Sequence, residues 1–440
     1  MDIETLTQVI DQTDTYKRYG KVLRMIGLMI ESLGPAVNIG EVCCIYPNST
    51  MEAPILAEVV GFNHEKILLM PYTEVTKIGP GCLVESTRKP LTIKVGRSLI
   101  GSTIDALGNK LDKSPLPKGL KKYITEQQPP NPMQRPPISE PIQVGVRAID
   151  SLLTVGKGQR IGIFAGSGVG KSTLLGMIAR NSEADVNVIA LIGERGREVR
   201  EFIEKDLGEE GLKKSVVVVA TSDQPALMRI KGAYTATAIS EYFRDLGLHV
   251  NLMMDSVTRV AMAQREVGLA IGEPPTTKGY TPSVFATLPK LLERTGTNQN
   301  GTITGFYTVL VDGDDMNEPI ADAVRGILDG HFILDRSLAE IGQFPAINVL
   351  KSVSRVMTQI VDQDHLTAAQ SIRKKLATYE ENSELINIGA YKKGTNSQID
   401  ESIAFYPIIQ EFLKQGILEH EAFEKSIEKM HHILRASGGS

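Results

Sequence analysis

Residues 164–173 read F-A-G-S-G-V-G-K-S-T, which is the composition of a phosphate-binding loop. Glycines let backbone N–H groups turn toward an anion, and the Lys171 ammonium can then reach the β- and γ-phosphates of a nucleotide. The Ser172 hydroxyl is a ligand type that suits Mg²⁺. Ala165 replaces the first glycine of the usual pattern, which is acceptable where φ is negative. The residues expected to bind the nucleoside triphosphate are Gly166, Ser167, Gly168, Val169, Gly170, Lys171, Ser172 and Thr173.

Asp255 ends an apolar run that begins at His249. In open α/β sheets, ligands bind outside the carboxyl ends of the strands, so this carboxylate would lie beside the phosphate loop. It could hold Mg²⁺ there, usually through water, opposite Ser172. An apolar strand that ends in Asp is common by chance, and the interpretation depends on the phosphate loop that precedes it in the chain.

Glu194 follows another strand-like run, within the sequence V-I-A-L-I-G-E-R-G-R-E-V at residues 188–199. Hydrolysis of a phosphoanhydride needs a carboxylate that polarises the attacking water, and Glu194 comes directly after the strand end. Arg195 could stabilise charge or fix the orientation of Glu194, whereas Glu198 has the position of a salt-bridge residue. Without an adjacent triphosphate site, a solvated charged loop would be the simpler interpretation.

The segment 344–356 reads F-P-A-I-N-V-L-K-S-V-S-R-V. Phosphoryl transfer benefits from a cation at the transition state, often one supplied by a neighbouring subunit. Arg355 is the candidate for that role. Phe344 could stack on the adenine ring of ATP.

Alternating strands and helices are expected to position these residues. The strand patterns are Ile161–Ala165, Val186–Ile192, Ser215–Ala220, His249–Met254 and Thr302–Val311, with helical patterns between them. Alternation of this kind predicts a parallel sheet that is covered by helices on both faces.

The flanking regions have different patterns. Before residue 95, short strand patterns separated by turns predict a small β-barrel: Lys21–Ile30, Gly40–Ile45, Ala57–Val60, Ile67–Met70 and Leu83–Glu85. Residues 3–12 have helical spacing but could equally be a frayed end. Six prolines between Pro129 and Pro141 predict an extended connector over the next domain. After residue 355, apolar residues at helical spacing predict a helical domain.

Composition is that of a multi-domain globular enzyme. The 440 residues are 42% hydrophobic and 23% charged. The formal net charge of −4 argues against a protein whose main ligand is nucleic acid. The three cysteines (Cys43, Cys44 and Cys82) have no metal-ligand spacing and suit reduced, buried thiols of a cytosolic protein. The acidic start is unlike a signal peptide, and no apolar run is long enough to span a bilayer, so any membrane contact should be peripheral.

Three motifs together resemble the rotary ATP-synthase catalytic subunits and the type III export ATPases. They are A-G-S-G-V-G-K-S at 165–172, G-E-R-G-R-E-V at 193–199 and P-A-I-N-V-L-K-S-V-S at 345–354. The acidic D-E-L-S-E-E-D motif of synthase β subunits is absent. Residues 279–296 and 384–394 look instead like the flagellar and virulence export ATPases. The overall sequence similarity, including the segment M-I-E-S-L-G-P at 29–35, favours the flagellar export ATPases over those of injectisomes.

The resemblance implies an α/β protein with a RecA-like P-loop NTPase core, an N-terminal β-barrel and a C-terminal helical domain. The expected boundaries are 1–95, 96–355 (with the proline-rich lead-in at about 125–141) and 356–440. In this family Glu194 has the place of the catalytic glutamate and Arg355 that of the arginine finger. A chain with both suits a homo-hexamer that binds ATP and Mg²⁺ at its interfaces.

Partners and location are likewise implied by the resemblance. They are a peripheral-stalk regulator at the N-terminus, a central-stalk protein, the export gate, and export substrates with their chaperones. The location would be cytoplasmic, peripheral at the inner membrane. Alternatives are an injectisome ATPase, a catalytic or non-catalytic rotary subunit, or a nucleic-acid translocase. The translocase is disfavoured because the barrel offers few stacking aromatics and mixed charge.

Overall fold

The computed structural model describes residues 17–48, 53–75, 77–166, 168–311 and 315–435. The helix predicted at residues 3–12 lies outside this range. Within it, no helix is long and apolar enough to cross a membrane.

The first strands close into an antiparallel barrel in the order β1-β2-β5-β4-β3-β6. The predicted barrel is therefore confirmed. The single strand expected over Lys21–Ile30 is wrong, because Gly27 adopts a positive φ of 56° and the chain turns there into a hairpin. The strands are β1 (Tyr19–Ile26), β2 (Met29–Leu33), β3 (Glu41–Tyr46), β4 (Ile55–Asn63), β5 (Lys66–Pro71) and β6 (Leu83–Pro90).

The barrel interior is apolar and includes two of the cysteines. Cys43 and Cys82 are buried there among Val22, Ile45 and Leu69. Burial raises the pKa of the Cys43 thiol to about 12, so this cysteine is an unreactive core residue, as expected from the sequence.

A connecting region leads from the barrel to the core. It contains β7 (Thr92–Val95), β8 (Thr103–Asp105), β9 (Lys121–Ile124) and short 3₁₀ turns at Arg97–Leu99 and Pro132–Gln134. The proline-rich segment is otherwise extended and lies on the core as predicted. Arg135 Nη1 donates to the Thr295 carbonyl at 2.8 Å, and Thr297 Oγ1 donates to the Pro136 carbonyl at 2.6 Å.

The core is a largely parallel sheet in the order β19-β18-β12-β17-β15-β13-β14-β8. Strands β18 to β8 of this order run parallel, and β19 pairs antiparallel with β18. The alternating pattern in the sequence is therefore confirmed, although β18 and the edge strands β8 and β19 were not predicted. The remaining strands are β10 (Pro141–Ile142), β11 (Val155–Gly156), β12 (Arg160–Ala165), β13 (Val186–Ile192), β14 (Ser215–Ala220), β15 (His249–Asp255), β16 (Gly296–Thr297), β17 (Thr302–Leu310), β18 (Gly330–Leu334) and β19 (Val353–Ser354).

Helices connect the core strands. They are α1 (Arg147–Leu152), α2 (Lys171–Asn181), α3 (Gly196–Glu201), which continues as a π-helical turn (Phe202–Leu207), α4 (Gly208–Lys213), α5 (Ala226–Asp245), α6 (Val257–Ala270), α7 (Pro282–Leu292), α8 (Pro319–Ile327), α9 (Arg336–Glu340) and α10 (Met357–Ile360), with a 3₁₀ turn at Thr277–Gly279.

The C-terminal region is helical, as predicted. It contains α11 (Gln363–Asn387), α12 (Ser397–Leu413) and α13 (Phe423–Arg435). Tyr379 of α11 and Tyr406 of α12 stack with their ring centroids 3.6 Å apart. Ile372, Ile409 and Phe412 belong to the same hydrophobic cluster as residues of β12 and α2, so these helices pack on the core.

Candidate active site

Three strand ends bring the candidate catalytic residues together. The phosphate loop follows β12, Glu194 follows β13, and Asp255 is the last residue of β15. These strands run parallel in one sheet with β17 between β12 and β15, so their carboxyl ends meet at the same edge.

The phosphate loop has the backbone that its glycines predict. Gly168 and Gly170 have φ values of 79° and 90°, in the left-handed region that favours glycine. Helix α2 begins at Lys171, so its first N–H groups are available to an anion. Ala165 is the last residue of β12 and does not have a positive φ, which explains why alanine is accepted there. Ser167 lies outside the described residues.

Lys171 lies between two carboxylates. Its Nζ is 2.6 Å from Asp255 Oδ1 and 3.7 Å from Glu194 Oε1. Asp255 is buried and also accepts a hydrogen bond from Thr308 Oγ1 at 2.8 Å. Within the described part of the chain, Glu194 Oε1 is buried without a hydrogen-bond partner. Such an oxygen is available to accept a hydrogen bond from water.

The charges of this cluster shift two pKa values. Burial, together with the negative charge of Asp255, raises the pKa of Glu194 to about 7, although Lys171 opposes the shift. Burial alone would lower the pKa of Lys171, but the attraction of Asp255 and Glu194 outweighs it and the pKa is raised. Lys171 is therefore a permanent cation, whereas Glu194 gains or loses its proton near neutral pH. A pKa near neutrality suits a general base.

The loop that carries Glu194 is held by its neighbours. Gly193 has a φ of 71°, and a Cβ at this position would lie 2.7 Å from Cβ of Arg259. The Ser222 backbone N–H donates to the Glu194 carbonyl at 3.0 Å, which joins the loop to the segment after β14. Glycine is required at 193 both for its backbone angle and for the close approach of Arg259.

Arg195 was expected either to stabilise charge or to fix the orientation of Glu194, and both roles stay predictions. Its guanidinium lies 3.7 Å from Glu198 and its side chain is 78% exposed. Glu198 has the salt-bridge role predicted for it. In this arrangement Arg195 faces solvent at the rim of the site.

Phe344 lines a cavity of about 190 Å³ beside the phosphate loop. The cavity also contacts Gly170 and Thr173, and its other walls are largely apolar: Val169, Leu174, Met177, Leu334, Pro345, Ala346, Gln415 and Ile417. The Phe344 ring itself is half exposed. An apolar slot with an exposed aromatic face beside a phosphate site is suited to a nucleobase.

Arg355 does not join this cluster within one chain. Ser354 pairs with Gly330 at the start of β18, and the Arg355 N–H donates to the Asp329 carbonyl at 3.0 Å. The phosphate loop lies at the other end of the strands, their carboxyl end. At the usual rise per residue, the two ends are about 13 Å apart. The Arg355 side chain is exposed at the amino end of the strands.

Comparison with known proteins agrees with this geometry. Residues 22–88 match the β-barrel domain of the ATP synthase alpha/beta family, and residues 145–354 match its nucleotide-binding domain. The flagellum-specific ATP synthase of Bacillus subtilis is 69% identical over 97% of this chain and 98% of its own length. The chain belongs to the ATP synthase α/β family.

Within this family the chain lies in the branch of the flagellar and type III secretion ATPases. Residues 361–432 match the T3SS EscN ATPase C-terminal domain. The type 3 secretion system ATPase of Xanthomonas euvesicatoria is 50% identical over 95% of this chain and 94% of its own length. The assembled ATPase EscN from the type III secretion system of enteropathogenic E. coli superposes with a TM-score of 0.89 at 46% identity, covering 94% of this chain and all of that one. The chain is thus an ATP hydrolase.

Two features of this α/β-family site were not found by sequence reasoning. Arg259 lies in the first turn of α6, four residues after the strand that ends at Asp255; its charge acts on Lys171, and its Nε is buried without a hydrogen-bond partner among the described residues. Gln415 and Ile417 reach the cavity from the C-terminal region, more than 240 residues after the phosphate loop, and no local pattern indicates them.

The oxygen groups at this edge fit Mg²⁺ carried by a nucleotide. Among the described residues, no group of three His, Cys, Asp or Glu could hold a metal ion by itself. Mg²⁺ usually takes one or two protein oxygens and completes its shell with water and phosphate. The Ser172 hydroxyl and the Asp255 carboxylate supply oxygens of this kind, and Glu194 Oε1, which has no hydrogen-bond partner among the described residues, lies 3.7 Å from Lys171 Nζ.

Proposed function

We propose that this chain hydrolyses ATP at the interfaces of a homo-hexamer and thereby drives protein export through the flagellar type III apparatus. The observation that supports it best is Lys171 between Asp255 and Glu194 at the carboxyl end of the strands, with Arg355 at the amino end. A site in this arrangement is completed by a second subunit. The EscN relative is described as an assembled ATPase, which is consistent with such interfaces.

Each residue has one role in the proposed reaction. The loop glycines and the first N–H groups of α2 bind the phosphates, and Lys171 exchanges Asp255 for the β- and γ-phosphates when the nucleotide enters. Asp255, released from Lys171, is then free to accept hydrogen bonds from water. Ser172 and Asp255 would hold Mg²⁺, which adds positive charge at the phosphate oxygens.

Glu194 removes the proton from the attacking water. Its carboxylate lies near Lys171, and its raised pKa matches a base that works near neutral pH. Arg355 of the adjacent subunit meets the charge that develops on the transferred phosphoryl group. Arg259 and Arg195 are further cations of the site, the first beside the phosphates and the second at the rim. Phe344 stacks on the adenine.

The remaining partners follow from the relatives. A structure of EscN in complex with its central stalk EscO matches this chain with a TM-score of 0.87 at 45% identity. We infer a corresponding central stalk here, moved by the C-terminal helices as interfaces open and close. A peripheral-stalk regulator, the export gate, substrates and chaperones complete the proposal, at the cytoplasmic face of the inner membrane. The identity of 69% to a flagellum-specific relative favours the flagellar system over an injectisome.

The ATPase rate per chain, measured against protein concentration, tests this proposal. The rate should rise steeply with concentration, and doping with a Lys171→Ala, Arg355→Ala double variant should lower it by more than simple dilution, because each such subunit has no active site of its own and also removes the finger from its neighbour's site. A rate per chain that is independent of concentration and merely diluted by the variant would refute the interfacial site. Restored motility in a bacterium lacking its own flagellar export ATPase would separately test the flagellar assignment.

A further inference from the structure

The base cavity is closed by a connection from the C-terminal region. Residues 414–422 join α12 to α13, and Gln415 and Ile417 of this connection line the cavity together with Phe344. The core must therefore hold the connection in place for the cavity to keep this lining. One core side chain contacts this connection at several points.

Arg147, the first residue of α1, is buried against this connection. Its Nη1 donates to the carbonyls of Phe412 and Lys414, each at 3.0 Å. Its Nε lies 2.8 Å and its Nη2 2.7 Å from Oε2 of Glu421, and Nη2 also contacts Glu419. Two carbonyls and two carboxylates thus surround one guanidinium. The fork geometry of arginine makes this possible, and lysine cannot reproduce it.

Gln415 connects the residues bound by Arg147 to the cavity through its hydrogen bonds. Its Oε1 accepts from the Arg147 backbone N–H at 2.7 Å, and its Nε2 donates to the carbonyls of Gly145 at 2.9 Å and Glu419 at 3.0 Å. Its own N–H donates to the Phe344 carbonyl at 2.9 Å. The same residue thus ties the connection to α1 and to the segment that carries Phe344.

A second core residue fixes the far end of the wall. Arg180, in the last turn of α2, donates from Nη2 to the Ile417 carbonyl at 2.6 Å. Because α2 begins at the phosphate loop, the cavity wall is tied at one end to the helix that binds the phosphates. Arg147 holds the other end.

We propose that Arg147 is a positioning residue for nucleobase binding. It holds the 414–421 connection so that Ile417 and Gln415 face Phe344, and it thereby links affinity for the base to the position of the C-terminal helices. This inference rests on the proposed assignment of the cavity to the nucleobase. Arg147 makes no contact with the phosphate loop in its described interactions, so phosphate binding should be independent of it.

Arg147→Lys tests the inference, with two ligands measured on the assembled protein. KM for ATP should rise about five- to tenfold while kcat falls by less than about threefold, because uniform binding is lost and the chemistry is not. Mg-tripolyphosphate, which has phosphates but no base, should inhibit with a constant that changes by less than about twofold. A merely structural defect would weaken both ligands together. Arg200→Lys is the matched control, since Arg200 has an exposed ion pair with Glu204.

Glu419→Gln provides a second variant in case Arg147→Lys folds poorly. It weakens the contact between Arg147 and the partly exposed Glu419 carboxylate. KM for ATP should therefore rise, but by less than in Arg147→Lys. Phe344→Ala separates the two hypotheses. If Phe344→Ala weakens ATP selectively and the Arg147 and Glu419 variants do not, the positioning role is refuted alone. If none of the three distinguishes ATP from tripolyphosphate, the cavity is not the base site and both ideas are overturned.

Discussion

Phe344 and Arg355 are only eleven residues apart in the sequence, yet they lie at opposite ends of the core strands: Phe344 at the carboxyl end and Arg355 at the amino end. The chain between them runs back along β18, with Asn348 N–H donating to the Ile333 carbonyl and Ser354 paired with Gly330. One chain can therefore use only Phe344 at its own nucleotide site. In the proposed hexamer, a single short segment serves two different sites.

Two inactive variants should restore activity to each other. Lys171→Ala removes the phosphate-binding cation from a subunit's own site, whereas Arg355→Ala removes the finger from its neighbour's site. When the two are mixed in equal amounts, roughly a quarter of random interfaces have an intact loop facing an intact finger. Phosphate release by the mixture should exceed that of either variant alone. A mixture as inactive as its components would contradict the shared site, and a Lys171→Ala, Arg355→Ala double variant mixed with either single variant is the control.

Glu194→Gln should stop turnover without preventing nucleotide binding. The change keeps the shape of the side chain and removes the base, so kcat should fall by about 10²–10⁴-fold. Affinity for a fluorescent ATP analogue, measured by titration, should stay within about threefold because the phosphate cradle is intact. Glu210→Gln, at an exposed ion pair with Lys213, is the control and should retain full activity. Normal turnover by Glu194→Gln would exclude Glu194 as the base.

The pH dependence should report the same carboxylate. A base works when ionised, and burial with the charge of Asp255 raises the pKa of Glu194 to about 7. The value of kcat/KM should therefore rise with pH up to about 7 and level off above it, since this ratio reports groups of the free enzyme. Light scattering at each pH controls for changes in assembly. An acidic limb near the ordinary glutamate pKa, well below 6, would disagree with the role given to Glu194.

Buried apolar runs were the parts of the fold that sequence predicted best. Val186–Ile192 and Ser215–Ala220 have the predicted bounds, because both faces of these strands are covered, all their residues are buried, and nearly all of them are apolar. The hairpin within Lys21–Ile30 was missed because the residues on both sides of Gly27 have the same strand character. Strand β8 was missed because its three residues carry almost no pattern and depend on β14 for their pairing.

The residues of the candidate active site show the same difference between local patterns, which were predicted, and long-range contacts, which were not. Lys171, Glu194 and Asp255 follow strand ends, so the rule for parallel sheets predicted that they would meet. Gln415, Ile417 and Arg147 were missed because they depend on contacts between segments more than 200 residues apart. The residue boundaries at 95 and 355 stay a prediction.

Lys231 joins the barrel to the core through a buried ion pair. Its Nζ lies 2.7 Å from Glu58 Oε2 of β4, and it also contacts Glu126. Lys231→Met should lower stability by about 3–5 kcal/mol, because the Glu58 carboxylate is left buried without its partner. Thermal unfolding measures this as a lower transition temperature, which adding Glu58→Gln should partly recover. Lys213→Met, at an exposed pair with Glu210, is the control and should melt like the wild type.

Strand β8 decides where the protein can be cut. The nucleotide-binding match begins at residue 145, but the sheet takes its outer strand from Thr103–Asp105, ahead of the proline-rich segment. A fragment excised at 145 would leave the Val217–Val219 edge of β14 without hydrogen-bond partners, an open template for another chain. Insertion, permutation or protease trimming between 106 and 144 therefore acts on the core, however loop-like that stretch looks. The catalytic unit begins some forty residues before its recognisable sequence does.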